Sequence, residues 1–412
     1  MKRLKILVSA YSFLPGQGSE PAVGWNIVNA LAEHHDVWVI TNYVGKEEID
    51  QLIQGKNINV KYFDMPGCFG RERLGVKSLQ THYYIWQLLV RKTMKRLQSE
   101  VGFDLCHHLT YVKYWAPTGA AWLDIPFVWG PIGGAEKMPL AFLKNAPLRS
   151  KVFESIRWLL QKMSHYDPFV RKAAFCASCA IPVTPESRDA VKSLNPHIKT
   201  RLITQIGVSE FELKEIDSQK NKEVEPVSEN ECVFIYVGNF IYWKGIHLAL
   251  KGFAKASMTK AKFRIIGSGE EEVRLRKLTN ELGIQKQVEF LGRMTRDEVF
   301  AQIQKSNCLV LASLHDSGGF VVAEAMANSK PVICLDLGGP SVLVPDNAGI
   351  KVPALNEDSA IEGLAESINR IATNPQLAEQ MGKTGRRHVE EKLLWSKKAL
   401  EINEIYEQIL MP

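Results

Sequence analysis

No stretch of this chain approaches the ~20 consecutive apolar residues that a membrane-spanning helix needs, so no spanning segment is expected. Cysteine is scarce and unpatterned: seven residues, an odd number, with a single Cys-x-x-Cys at Cys176 and Cys179. One such pair lacks the second pair of a structural zinc site, and its neighbours Ala173, Ala174, Phe175 and Ala180 are apolar, which points to packing. Free thiols in a reducing cytoplasm are the expectation. No internal repeat, low-complexity tract or cluster with metal-ligand spacing is present. The opening residues superficially resemble a signal peptide. Their apolar run is short, holds Lys5, and leads into Pro15-Gly16-Gln17-Gly18 rather than a cleavage site, so a buried first strand is the better reading.

What is present is ordinary globular composition, 45% hydrophobic and 23% charged over 412 residues. That length exceeds what one core usually serves and implies two domains. Charge is unevenly shared. Residues 1–205 hold 26 Lys and Arg against 16 Asp and Glu, while the remainder holds 25 against 29. A basic first half suggests that it faces something anionic.

Short apolar or β-branched runs alternate with helix-length stretches. Strands are expected at 5–9, 37–41, 59–63, 104–107, 127–129 and 180–184, then at 232–237, 263–266, 288–291, 308–311 and 332–335. Helices follow near 245–256, 270–282, 296–305 and 319–328. Alternation at this spacing means βαβ units and parallel sheets covered on both faces. The polar stretch 211–230 reads as a linker between domains at 1–210 and 231–394, with a last helix at about 395–412 packing back on the first domain. In tandem doubly wound domains, ligands bind beyond the carboxyl ends of the strands.

The segment most marked for chemistry is His315-Asp316-Ser317-Gly318-Gly319-Phe320-Val321-Val322-Ala323-Glu324. It follows a strand and opens a helix, so free N–H groups at Gly319, Phe320 and Val321 can receive phosphate. Two carboxylates bracket the glycine pair. Upstream, Asn239-Phe240-Ile241-Tyr242-Trp243-Lys244-Gly245 follows the first strand of the second half. Gly267, at a strand end, and Met294, after Gly292-Arg293, mark further turns. In the first half, Pro15-Gly16-Gln17-Gly18 fails the spacing of a dinucleotide Gly-x-Gly-x-x-Gly, which disfavours a nicotinamide cofactor. His107 and His108 end a strand, and Gly133-Gly134-Ala135-Glu136-Lys137 forms a second glycine loop.

The Asp316–Glu324 spacing and its tail Glu-Ala-Met-Ala-Asn-Ser-Lys-Pro-Val resemble the carboxylate pair of the retaining glycosyltransferases of family four. The resemblance extends over nearly the whole chain. It implies a GT-B fold: two Rossmann-like doubly wound α/β domains facing a central cleft. It implies transfer from a nucleoside diphosphate sugar, UDP- or GDP-linked, to a glycan or lipid-linked hydroxyl acceptor, with no cofactor and no metal. Carried over, Glu324 holds the donor ribose, Asp316 the sugar hydroxyls and Lys244 the pyrophosphate. Gly16, Gly18, Asn239, Gly267, Met294 and the Gly318–Val321 turn line the donor; Gly133, Gly134, Glu136 and Lys137 face the acceptor. The family's His-x-His is replaced by His107-His108, and which imidazole enters the cleft stays open. Asp316 stands where Glu is usual and Asn239 where Arg is usual, and Asn cannot replace a bidentate cation. Two rivals remain open: a nucleotide-sugar 2-epimerase of the same fold, and a non-catalytic partner subunit, which those two departures favour.

The stretch from Arg71 to Gln98 carries Arg71, Arg73, Lys77, Arg91, Lys92, Lys95 and Arg96 against Glu72 alone, interleaved with Tyr83, Tyr84, Trp86 and Leu89. It reads either as a helix docking on an anionic membrane or as a core helix with a solvated basic face. A cytoplasmic location, with contact to the inner face of the membrane, fits the first reading. No nucleic-acid motif appears, and no such partner is expected.

Overall fold

A computed structural model describes residues 3–16, 18–66, 70–71, 79–220 and 231–411. Gln17, Glu72, Arg73, Lys77 and the linker positions 221–230 lie outside the described residues.

The strands are β1 (Lys5–Ser9), β2 (Asp36–Thr41), β3 (Ile58–Tyr62), β4 (Leu105–His108), β5 (Phe127–Ile132), β6 (Cys179–Pro182), β7 (Cys232–Val237), β8 (Ala261–Ile266), β9 (Val288–Gly292), β10 (Cys308–Leu311), β11 (Val332–Leu335) and β12 (Gly349–Val352). They form two six-stranded sheets, ordered β3-β2-β1-β4-β5-β6 and β12-β11-β10-β7-β8-β9, with every pairing parallel. Central strands such as β10 and β11 are buried throughout, which is why they read as unbroken apolar runs rather than alternations.

The chain divides into two compact units. The first comprises Met1–Ala135, Arg157–Gln205 and Trp395–Pro412; the second comprises Glu136–Ile156 and Ile206–Leu394. The excursion from Glu136 to Ile156 is not part of a contiguous first domain, because Met138, Phe142 and Ala146 insert into the second unit's core. Glu136 and Lys137 therefore group with the second unit, not the first.

Two differences from the sequence reading have local causes, and one alternative it left open is decided. The presumed linker starts as a helix, Glu210–Lys220. Ser209 and Glu212 close a reciprocal cap there: the Ser209 hydroxyl accepts from Glu212 N at 3.1 Å and the Glu212 carboxylate accepts from Ser209 N at 2.6 Å. Leu213 and Ile216 are its buried anchors. β12 escaped notice because it is a four-residue edge strand that opens with glycine. In the Leu79–Val101 helix, Tyr83, Trp86, Val90 and Met94 are core residues of the first unit, so its aromatic face packs inward and leaves Lys92, Lys95 and Arg96 in solvent. Among the described residues no helix is long and apolar enough to cross a membrane. Cys106, Cys176, Cys179, Cys232, Cys308 and Cys334 are free thiols.

Candidate functional site

In the second sheet β7 lies between β8 and β10, so the strand order reverses direction at the β7–β10 step. Loops leaving a parallel sheet at such a point diverge to opposite faces and open a crevice at the carboxyl ends of the strands. Lys244 sits on the loop after β7 and Asp316 on the loop after β10, and the Lys244 ammonium forms an ion pair with Asp316 Oδ2.

Both loops are held by backbone. Leu314 N donates to Trp243 O at 2.7 Å, and Gly339 N, after β11, donates to Asp316 O at 2.7 Å. Gly245 has φ +66°, and a Cβ there would stand 1.7 Å from the Ala312 carbonyl oxygen. Gly338 has φ +55°, with the Asp316 carbonyl oxygen 2.4 Å from its Cβ position. Any side chain at either position would push the two loops apart.

The Phe320–Ala327 helix starts at Gly319 with no side-chain cap. Its first-turn N–H groups, at Phe320 and Val321, are therefore left to a ligand or to water. Asp316 Oδ1 accepts from Gly318 N at 3.3 Å, which holds the carboxylate beside the glycine pair. Glu324, one turn into the helix, is mostly buried, and burial lifts its carboxyl above the ordinary range. Against that lift stands Arg296, whose guanidinium is 3.4 Å from Glu324 Oε1 and also pairs with Glu212.

The remaining positions read from sequence divide by unit. Gly267 is a packing glycine: its N donates to Gly292 O at 2.8 Å, and a Cβ would meet Gly238 O at 1.9 Å. Asn239 is exposed and Met294 half-buried. Glu136 is buried beside the turn after β11, its Cγ 3.3 Å from where a Gly338 Cβ would be, while Lys137 is exposed. In the first unit, space is open around Gly16 and Gly18. Gly133 N donates to Val112 O at 3.0 Å, and Gly134 O accepts from Gln161 Nε2 at 2.8 Å and from Arg157 at 3.2 Å, so that loop is tied into its own unit.

The two histidines of β4 lie inside the first unit. Both are fully buried. His107 Nε2 lies 2.7 Å from the Gly130 carbonyl and Nδ1 lies 2.6 Å from the Tyr406 hydroxyl. Because a carbonyl can only accept, the proton is on Nε2. His108 Nε2 lies 3.0 Å from the Tyr83 hydroxyl and 3.2 Å from Gln87 Nε2. Burial lowers His107 to about 4 and His108 to about 3. Burial holds both imidazoles in the neutral form.

Three features went unread. Arg296 joins Glu212 to Glu324; its only local mark was a position just inside a helix capped by Thr295. Trp243 and His315, both inside the quoted segments, stack with ring centroids 5.3 Å apart, and Phe153 stacks on the other side of Trp243 at 5.0 Å. Behind His315, Glu154 Oε1 stands 2.7 Å from Nε2. These rings brace the loops carrying Lys244 and Asp316. Among the described residues no group of three or more His, Cys, Asp or Glu side chains is placed to hold a metal ion.

Two doubly wound parallel sheets, with acidic, basic and helix-terminal groups gathered at the switch point of the second, define the GT-B class. Within that class, residues 217–388 match the family described as Glycosyl transferases group 1, and the resemblance of the chain to family-four glycosyltransferases stands with it. N-acetyl-alpha-D-glucosaminyl L-malate synthase of Bacillus anthracis is 29% identical over 196 residues, 47% of this chain and 50% of that protein. The chain spans about half the length of the first curated relatives it matches. Sucrose-phosphate synthase from Thermosynechococcus elongatus shares the fold at a TM-score of 0.67 and 20% identity over 99% of each chain. Anabaena HepE, solved in complex with UDP, does so at 0.64 and 16% identity over 98% of this chain and 100% of its own.

Proposed function

We propose that the protein moves a sugar from a nucleoside diphosphate sugar to a hydroxyl acceptor, a glycan or lipid-linked intermediate, on the cytoplasmic side of a membrane. The observation that carries this reading is the meeting of Lys244, Asp316 and the uncapped start of the Phe320–Ala327 helix at the switch point of the second sheet. That HepE holds UDP on the same fold supports a nucleotide-linked donor.

As the bond from the anomeric carbon to the diphosphate breaks, negative charge grows on the leaving oxygen. The Lys244 ammonium and the N–H groups at Gly319 and Phe320 stabilise that charge at fixed positions, and Glu324 and Asp316 anchor the ribose and the sugar hydroxyls. The acceptor oxygen attacks from the face the diphosphate leaves, and its proton passes to the departing phosphate oxygen, so configuration is retained. The scheme requires neither a protein nucleophile nor a metal. With Asn239 in place of a bidentate cation, Lys244 carries a larger share of the phosphate charge.

Thermal shift with UDP- and GDP-sugars identifies the donor before any acceptor is known. Lys244→Ala and Glu324→Ala are each expected to abolish the donor-dependent shift and transfer while leaving the unliganded melting transition in place. Full activity in either variant refutes the site. Incubation with donor alone distinguishes transfer from epimerisation, which needs no acceptor.

A further inference from the structure

The helix Leu148–Ser164 is built inside out. Its inward positions Ser150, Glu154, Gln161 and Ser164 are polar, while Val152, Ile156, Leu159 and Met163 are apolar and exposed. Steps of four and three residues place each set on one stripe. A helix at a water-facing surface shows the reverse arrangement. The inward polar groups have partners, such as Gly134 O for Gln161, so the inversion is stably accommodated.

Within the first unit, the second half of this helix, the turn after it and the Pro168–Cys176 helix expose large apolar side chains: Trp158, Leu159, Leu160, Met163, Tyr166 and Phe175 are 44% to 86% exposed, and Leu160, Met163 and Tyr166 border one cavity. Scattered exposed apolar residues need no cause, but a continuous patch marks an interaction surface. Leu160 and Met163 also wall a cavity of about 440 Å³ that is otherwise lined by Tyr84, Trp115 and Phe169 among others.

The exposed charge of the segment from Trp158 to Cys176 has one sign. Lys162, Arg171 and Lys172 are exposed. The one acid between Trp158 and Cys176, Asp167, is occupied: it accepts from the Tyr84 hydroxyl at 2.6 Å and caps Phe169 N at 2.8 Å. The cations lie over aromatic rings, Lys162 over Trp158 at 4.9 Å, Arg171 over Phe175 at 5.9 Å and Lys172 over Trp122 at 5.7 Å. Aromatic bodies topped by basic heads match the boundary between lipid headgroups and acyl chains. A second copy fits poorly, since two such basic rims would face each other.

We propose that this face of the first unit docks on a bilayer containing anionic lipid. The apolar side chains enter the acyl boundary, Lys162, Arg171 and Lys172 meet the headgroups, and the cavity takes up the end of an acyl chain. The surface is not the Arg71–Gln98 stretch, for which the sequence left membrane docking as one of two readings, because Tyr83 and Trp86 of the Leu79–Val101 helix are core. Lipid binding is read without any sugar donor, so its outcome is independent of the transfer reading.

The test is flotation of the full chain with phosphatidylcholine vesicles and with vesicles about one-third phosphatidylglycerol. The chain is expected to float with the anionic vesicles and to be released by high salt. The double variants Leu159→Glu with Met163→Glu, and Lys162→Glu with Lys172→Glu, are each expected to cut the bound fraction about tenfold or more. The charge pair keeps the test decisive if the apolar pair disturbs folding. Absence of binding to anionic vesicles overturns the proposal, as does binding undiminished in the charge variant. So does a concentration-dependent dimer that Leu159→Glu with Met163→Glu dissolves.

Discussion

Glu324 carries a carboxylate whose charge is contested. Burial raises its pKa, the Arg296 guanidinium lowers it, and Glu212 raises it again. Ribose hydroxyls donate to an ionised carboxylate more strongly than to a neutral acid. Donor affinity should therefore be full above the raised pKa and fall as pH drops through it. Arg296→Ala removes the lowering influence and leaves the repulsion from Glu212, so the midpoint of that fall should move to higher pH. Calorimetric titration with the preferred nucleotide sugar between about pH 5 and 8 measures this. Glu324→Gln should weaken binding about tenfold or more at the upper end and flatten the profile. A midpoint unmoved, or moved downward, in Arg296→Ala would show that Arg296 does not govern the carboxylate. Lys244, Asp316 and Glu324 could be picked out beforehand because each follows an apolar strand and lies within a few residues of a glycine turn. Arg296 could not, since its meaning comes from Glu212, which is 84 positions away and reaches it only through the fold.

At the scale of elements, β4 shows how burial overrides residue type. Its two imidazoles point to opposite sides of the sheet, His107 to Tyr406 and His108 to Tyr83 and Gln87. A histidine pair at the end of a parallel strand suggests a site, and full desolvation on both faces holds each imidazole neutral. The same burial makes stability depend on pH. Folded values of about 4 and about 3 lie below the ordinary 6.5, so the unfolded chain binds more protons between those limits. The contribution is present above about 6.5 and is lost as pH falls toward 4, at about 1.4 kcal/mol per pH unit for each imidazole that stays neutral. Urea midpoints at pH 7 and pH 5 should show the decline, and His108→Gln should show a shallower one despite its lower midpoint at pH 7. An equally steep slope in the variant would mean that His108 is not the titrating group. Periodicity revealed the strands because parallel sheets leave long apolar runs. It could not reveal the polarity of the Leu148–Ser164 helix, since an apolar stripe reads alike whether it faces a core or the outside.

On the scale of the whole molecule, the first unit begins at its amino-terminal strand and is completed only by the last helix, Trp395–Leu410. That helix supplies Asn403 to His35 at 2.8 Å, Tyr406 to His107 and Lys398 Nζ to Thr204 O at 2.8 Å. It also buries Ile402 and Ile405. Burial lowers the Lys398 ammonium to about 8, so the group is held by oxygen partners rather than by water. The second unit, by contrast, holds Lys244, Asp316, Arg296 and Glu324 within its own core and loops. Two cores of separate composition predict two separable unfolding transitions. Truncation after Leu394 removes these partners from the first unit and leaves His107 Nδ1 and His35 Nε2 without theirs. It should lower that unit's transition by roughly 5 °C or more. The second unit's transition should stay in place and should still rise when the nucleotide diphosphate is added. Differential scanning calorimetry of the full chain and the truncated chain, each with and without the nucleotide, measures both effects. A single transition that moves as one in all four scans would show that the two cores unfold together and that the last helix stabilises both.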